Sequence, residues 1–148
     1  MGVLLLGADY YGTLAAARAF GKAGVRVSMA DDNRSARALY SRHVSEKLAH
    51  PPLSAEEDLV DWLLDWGRRN PGTVLYPPND HLAWLFALER ERLGQAFSMY
   101  SPSAEVIITL LDKKRLHDAC ARVGIEVPHT QGLGELDVES TTVRSVPF

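Results

Sequence analysis

The sequence predicts an α/β protein built on a doubly wound, mostly parallel sheet of four to five strands. Three observations carry this. Short apolar runs ending in glycine or proline alternate with segments of helical period. The first run, Val3 to Leu6, is apolar at every position, as in a strand buried on both faces. The 148 residues, 46% of them hydrophobic, suffice for one core but not for two domains of ordinary size.

After that first strand, Gly7 to Gly12 form a loop. "TLAAARAFGKAG" then reads as a helix with Leu14, Ala15, Arg18, Ala19 and Phe20 at helical spacing, stopped by Gly24. "VRVSM" alternates apolar and polar residues as a second strand ending at Asp31 and Asp32. A short helix over 33–40 and a weak third strand in "HVSEKLAH" follow. Ser54 and Glu57 have the spacing of a capping box ahead of a helix whose apolar face is Leu59, Val60, Leu63 and Leu64. "TVLYPP" is the fourth strand, and Asn79 or Asp80 caps the helix carrying Leu82, Leu85, Phe86 and Leu88. "SMY" at 98–100 reads as a short edge strand, and Ser103 as the cap of a helix with Val106, Ile107 and Leu110. In "LDKKRLHDACARVG", Asp112 is the expected cap, Leu116, Ala119, Cys120 and Val123 the buried face, and Gly124 the stop. Two further apolar pieces beyond it have no packing partner in the sequence. Alternating strands and helices of this kind are Rossmann-like.

The totals exclude several classes of function. Lys and Arg number 16 against 19 Asp and Glu, a net charge of −3, and the basic residues are scattered along the chain, so nucleic acid is not an expected partner. Cys120 is the single thiol, which rules out an internal disulfide and fits a cytoplasmic setting. No apolar run approaches the roughly 20 residues of a membrane span, and the N-terminus lacks the features of a signal peptide. His43, His50, His81, His117 and His129 show no metal-ligand spacing with one another or with Cys120. Packing is the expected role of Cys120 and of Trp62, Trp66 and Trp84.

In "GADYYG", Asp9 stands where a dinucleotide fingerprint has its middle glycine and places a carboxylate where a pyrophosphate would lie. Asp31 and Asp32 keep NAD or FAD binding open, since an acid there can bind a ribose hydroxyl. They serve equally well as turn-capping residues. Gly7 and Gly12 likewise fit either a ligand contact or a tight turn. Lys113, Lys114 and Arg115 fill the first turn of a helix, where the macrodipole disfavours cations by about 0.3–1 kcal/mol. Either the charges are solvated, or an anion such as an ATP phosphate joins them.

"LYPPND", followed by "LLDKKRLHDACARVGIEVPHT", resembles the N-terminal region of ATP-grasp carboxylate-amine ligases, in particular carbamoyl-phosphate-synthase-like and D-aspartate-ligase-like members. The resemblance spans nearly the whole chain, and "DK…GIEVP.T" is its most specific part. It implies a pre-ATP-grasp domain over residues 1–110, then a linker helix and the start of an ATP-grasp domain over 111–148. It further implies a ligase that uses ATP and Mg²⁺ to activate a carboxylate as an acyl phosphate, which an amine then attacks. Lys113 corresponds to the lysine that reaches an ATP phosphate. Gly7, Asp9, Tyr10, Tyr11, Gly12, Asn79 and Asp80 lie in the loops that face the carboxylate or amine substrate.

The second phosphate-binding lysine, glycine-rich lid and Mg²⁺ ligands of such ligases do not occur in the sequence. The expectation is therefore a domain inactive by itself, completed by an ATP-grasp domain in cis or on a partner chain, with a homo-oligomer open. A non-catalytic interaction module of the same fold is the alternative.

Overall fold

Five successive residues with no charge to solvate make Gly2–Leu6 (β1) a central strand in the computed structural model, which describes residues 1–128. Arg26–Asp31 (β2), Glu46–Ala49 (β3) and Thr73–Tyr76 (β4) complete a sheet of order β3-β2-β1-β4 with every pairing parallel. Successive β1 side chains point to opposite faces. Leu4 and Leu6 therefore join one core with Leu59, Leu63, Leu82 and Phe86, while Val3 and Leu5 join a second with Ala17, Val27 and Met29. Two cores on one sheet are the doubly wound arrangement that the sequence predicts.

The expected fifth strand shrinks to a bridge between Val74 and Ser98, with Leu75 N donating to Ser98 O at 3.1 Å and Ser98 N to Thr73 O at 2.9 Å. Tyr100 is exposed and Pro102 has no amide to offer, so pairing stops there.

Helix α1, Tyr11–Lys22, starts before Thr13, and its orientation differs from expectation. Thr13 and Ala17 are its buried residues, while Ala15, Arg18 and Ala19 are exposed. The small pair permits close approach to the sheet, and the Thr13 hydroxyl donates to Leu6 O at 3.4 Å. Helix α2, Glu56–Arg69, buries Leu59, Val60, Leu63, Leu64 and Trp66 and carries acids in its first turn and arginines in its last, as the macrodipole favours. The Ser54–Glu57 capping box does not form. Ala55 N donates to Pro52 O at 2.9 Å, and this turn makes Ala55 the N-cap, leaving Ser54 one position outside it.

Asp80–Leu88 (α3) and Arg90–Leu93 (α4) follow β4. Trp66 stacks on Phe97 with ring centroids 6.1 Å apart, and Trp62 packs at the margin of the same core. In Ala104–Leu111 (α5), Ser103 Oγ accepts from Val106 N at 3.3 Å.

The chain divides into two units, Met1–Ile107 and a second from Ile108 onward. Within the second, Lys113–Arg122 (α6) is capped by Asp112, and Gly124 follows it in the left-handed region at φ +74°. Leu116, Ala119 and Cys120 are only half-buried and Val123 is exposed, so the face expected to be buried is covered in part. Charged residues flank this apolar stripe on both sides and keep it narrow. No helix among the described residues is long and apolar enough to cross a membrane. His129 and the apolar pieces from there to Phe148 lie outside the described residues.

Candidate functional site

From β1 the chain winds outward through β2 to β3, then returns to place β4 on the other side of β1. That reversal is a topological switch point, and in parallel α/β sheets ligands bind in the crevice it opens beyond the carboxyl ends of the strands. Two loops stand at that edge here: Gly7 to Tyr10 after β1, and Pro77 to Asn79 after β4.

Gly7 begins the first loop at φ +68°, with Gly7 N donating to Ala30 O at 3.2 Å and Tyr10 N to Gly7 O at 3.2 Å. A Cβ on Gly7 would lie 2.8 Å from the Tyr10 ring and 3.8 Å from Pro78 Cγ. One on Gly12 would lie 3.8 Å from Pro78 O, an ordinary contact. Turn geometry therefore demands the first glycine but not the second. The two loops also approach each other at Pro78.

Asp31 anchors this arrangement from β2. One carboxylate oxygen accepts from Ala8 N and the other from Asn33 N at 2.8 Å, and the residue is buried. The acid expected to serve either a ribose or a turn thus holds the loop, with both oxygens engaged by backbone amides. Burial pushes its carboxyl above the ordinary 3.8. The amides of Asn33 and Ala8 oppose that rise, and the charges of Asp9 and Asp32 add to it. A folded-state value above the unfolded one makes this group's stabilising contribution complete below the unfolded pKa and lost as pH rises through the folded one. In an NMR titration the Asp31 carboxyl carbon is expected to show a midpoint above 3.8. A midpoint at or below that value would contradict the dominance of burial.

Asp9 is exposed and lies on the β2 side of the loop, where Asn33 Nδ2 donates to its Oδ2 at 3.4 Å. Tyr10 is half-exposed and Tyr11 almost fully exposed. Across the crevice, Asn79 caps α3 by accepting from Leu82 N at 2.9 Å through Oδ1. Its Nδ2 is buried with no hydrogen-bond partner among the described residues, a donor held in place by the cap. Asp80, the first residue of α3, is exposed. Gly7, Gly12 and Asn79 therefore meet around Pro78, while Asp9 leans toward Asn33. Sequence reading missed Asn33 and Tyr76. The signal for Tyr76 was an aromatic residue at the carboxyl end of a strand before two prolines. It is partly exposed and makes an edge contact with Phe20 at 5.9 Å.

In the second unit, Lys113 is exposed at the first position of α6. Asp112 Oδ1 accepts from Lys114 N at 2.9 Å and Arg115 N at 3.1 Å, so its carboxylate occupies amides expected to face an anion. Asp112 thus closes the helix terminus, and Lys113 is an exposed cation beside it. Among the described residues, no group of three or more His, Cys, Asp or Glu could hold a metal ion.

These features define a parallel α/β domain whose β1 and β4 loops meet at a topological switch point. Among solved structures, the chain is similar to the biotin carboxylase domain of a thermophilic 2-oxoglutarate carboxylase bound to ADP, at 21% identity and a TM-score of 0.57. It is also similar to the dimeric biotin carboxylase domain of the Hydrogenobacter thermophilus 2-oxoglutarate carboxylase in complex with MgADP, ADP and bicarbonate, at 20% identity and a TM-score of 0.57. Each match covers 82% of this chain, which spans only 27% of the neighbour's length. At these identities the likeness establishes the fold. No protein-family model and no curated protein matches the chain.

Proposed function

We propose that the chain is the N-terminal, pre-ATP-grasp part of an ATP-dependent carboxylate-amine ligase. The observation that carries the reading is the meeting of the Gly7–Gly12 loop with the Pro78–Asn79 turn at the switch point, in a fold shared with ADP-bound biotin carboxylase domains. The "DK…GIEVP.T" pattern adds to it from the sequence.

In such a ligase a carboxylate oxygen attacks the γ-phosphorus of ATP and ADP leaves. The amine nitrogen then attacks the acyl carbon, and phosphate departs. This chain's contribution is to bind and orient. Asn79 Nδ2, buried and unpartnered among the described residues at the loop junction, meets a substrate carboxylate once the junction opens, Asp9 is an acceptor for an ammonium group, and Tyr10, Tyr11 and Asp80 line the approach. Lys113 offsets phosphate charge. Phosphoryl transfer depends on metal and on several positioned cations. By itself the chain has no ligase activity, and an ATP-grasp domain, in cis or on a partner chain, supplies the rest. Homo-oligomerisation and a cytoplasmic setting belong to the same proposal.

The test is calorimetry with Mg-ATP and with NADH, on the chain and on a form joined to an ATP-grasp domain. Lys113→Ala in the joined form is expected to weaken ATP binding by about 1.5–3 kcal/mol, the worth of a charge-assisted hydrogen bond. NADH binding indifferent to Lys113 would replace the ligase reading with a dinucleotide one.

A further inference from the structure

The basic residues that look scattered along the sequence are gathered by the fold. Arg18 and Lys22 on α1, Arg37 and Tyr40 on the 3₁₀ turn Arg37–Tyr40, and Arg42 and His43 on the loop before β3 line an open cleft of about 650 Å³ floored by Leu14. Among the described residues, no Asp or Glu lines it and none of its four Lys and Arg residues makes an ion pair. Glu46, the acid nearest this loop in sequence, is engaged elsewhere, accepting from Ser28 Oγ at 2.8 Å and lying 3.8 Å from Arg26. A chain of net charge −3 thus concentrates four of its 16 Lys and Arg residues in one concavity that no described acid lines.

Ordinary helix electrostatics explain only half of this. Lys22 stands in the last turn of α1, where the macrodipole welcomes cations, and Arg18 precedes it by one turn. Arg37 and Arg42 come from other segments and gain nothing from that dipole, yet they face the same space. The loop is also built inward. A Cβ on Gly21 would lie 2.7 Å from both Cβ and Nδ1 of His43, so a glycine inside α1, unfavourable for the helix itself, lets the loop seat against it. Tyr40 is held as a wall by its hydroxyl bond to Arg34 O at 3.1 Å and by Lys47 Nζ, 4.1 Å from its ring centroid.

Because α1 runs back from the crevice and the 41–43 loop leads into the start of β3, the cleft lies toward the opposite edge of the sheet from the switch point. We infer that it is a second ligand site, for a small molecule carrying two or three phosphates, separate from the crevice. Arginine forks match phosphate oxygens bidentately, and converging cations favour a compact, densely charged anion. The acidic chain as a whole disfavours an extended polyanion, and the cations line a concavity rather than a long track.

Calorimetry of the full chain with inorganic tripolyphosphate tests the site. Binding is expected to weaken with ionic strength and to fall at least about tenfold in the Arg18→Gln/Arg42→Gln double variant, with the circular dichroism spectrum unchanged. It should be unaffected in Arg68→Gln, which alters an exposed arginine on α2. Gly21→Ala should also weaken it, by pushing His43 and the loop that carries Arg42 away from α1 without removing any cation. Absence of binding, equal loss in the Arg68 variant, or undiminished binding in the double variant would overturn the proposal. So would citrate binding as tightly as tripolyphosphate, or a single-stranded oligonucleotide binding more tightly.

Discussion

Phe86→Ala is expected to lower the unfolding free energy by about 3–5 kcal/mol. Phe86 is 1% exposed and packs in the core shared by Leu4, Leu6, Leu59 and Leu63. Truncation removes a large apolar surface and leaves a cavity that closely packed neighbours cannot fill. Because Phe86 lies on α3, the loss also loosens the helix that Asn79 caps after the β4 loop. Urea denaturation monitored by circular dichroism measures the effect. Tyr100→Ala, at a residue 93% exposed, is the control and should stay within about 0.5 kcal/mol of the parent. A Phe86 effect below about 1 kcal/mol would mean that this core is not packed as described.

Gly7→Val should cost about 2–5 kcal/mol, from two separate sources. A β-branched residue at φ +68° pays about 1–2 kcal/mol in backbone strain, and a Cβ 2.8 Å from the Tyr10 ring forces a displacement worth about 1–3 kcal/mol more. Gly12→Ala separates fold from function. Its Cβ has room, and alanine in the first turn of α1 should be neutral or mildly stabilising. If that variant keeps its stability but loses substrate binding in the joined ligase, Gly12 serves the ligand. If the Gly7 variant is as stable as the parent, the strained turn is not a feature of the folded chain.

Much of this fold is local, and local features are legible in sequence. The apolar run of β1, the stop at Gly24 with φ +77°, and the caps at Asn79, Ser103 and Asp112 each follow from a few adjacent residues. Ser54 shows the limit of such reading. Its capping box has the right spacing, but the turn made by Pro52 and Ala55 starts α2 one residue later. Pattern cannot choose between two starts one residue apart. The bond to Pro52 can.

The candidate site divides along the same line. The residue types and the two loops could be read from "GADYYG" and "PPND", because a parallel strand followed by a helix always delivers its loop to the ligand edge. Only tertiary structure decided that Asp31 holds the β1 loop rather than facing a ribose, since its partners Ala8 and Asn33 lie on two different strands' loops. The same holds for the cleft of Arg18, Lys22, Arg37 and Arg42, which charge counting along the chain disperses. Periodicity and turn chemistry act over a handful of residues, so the sequence by itself determined the elements and their order. Electrostatic neighbourhoods depend on distances in space, and those exist only once the helices have packed on the sheet.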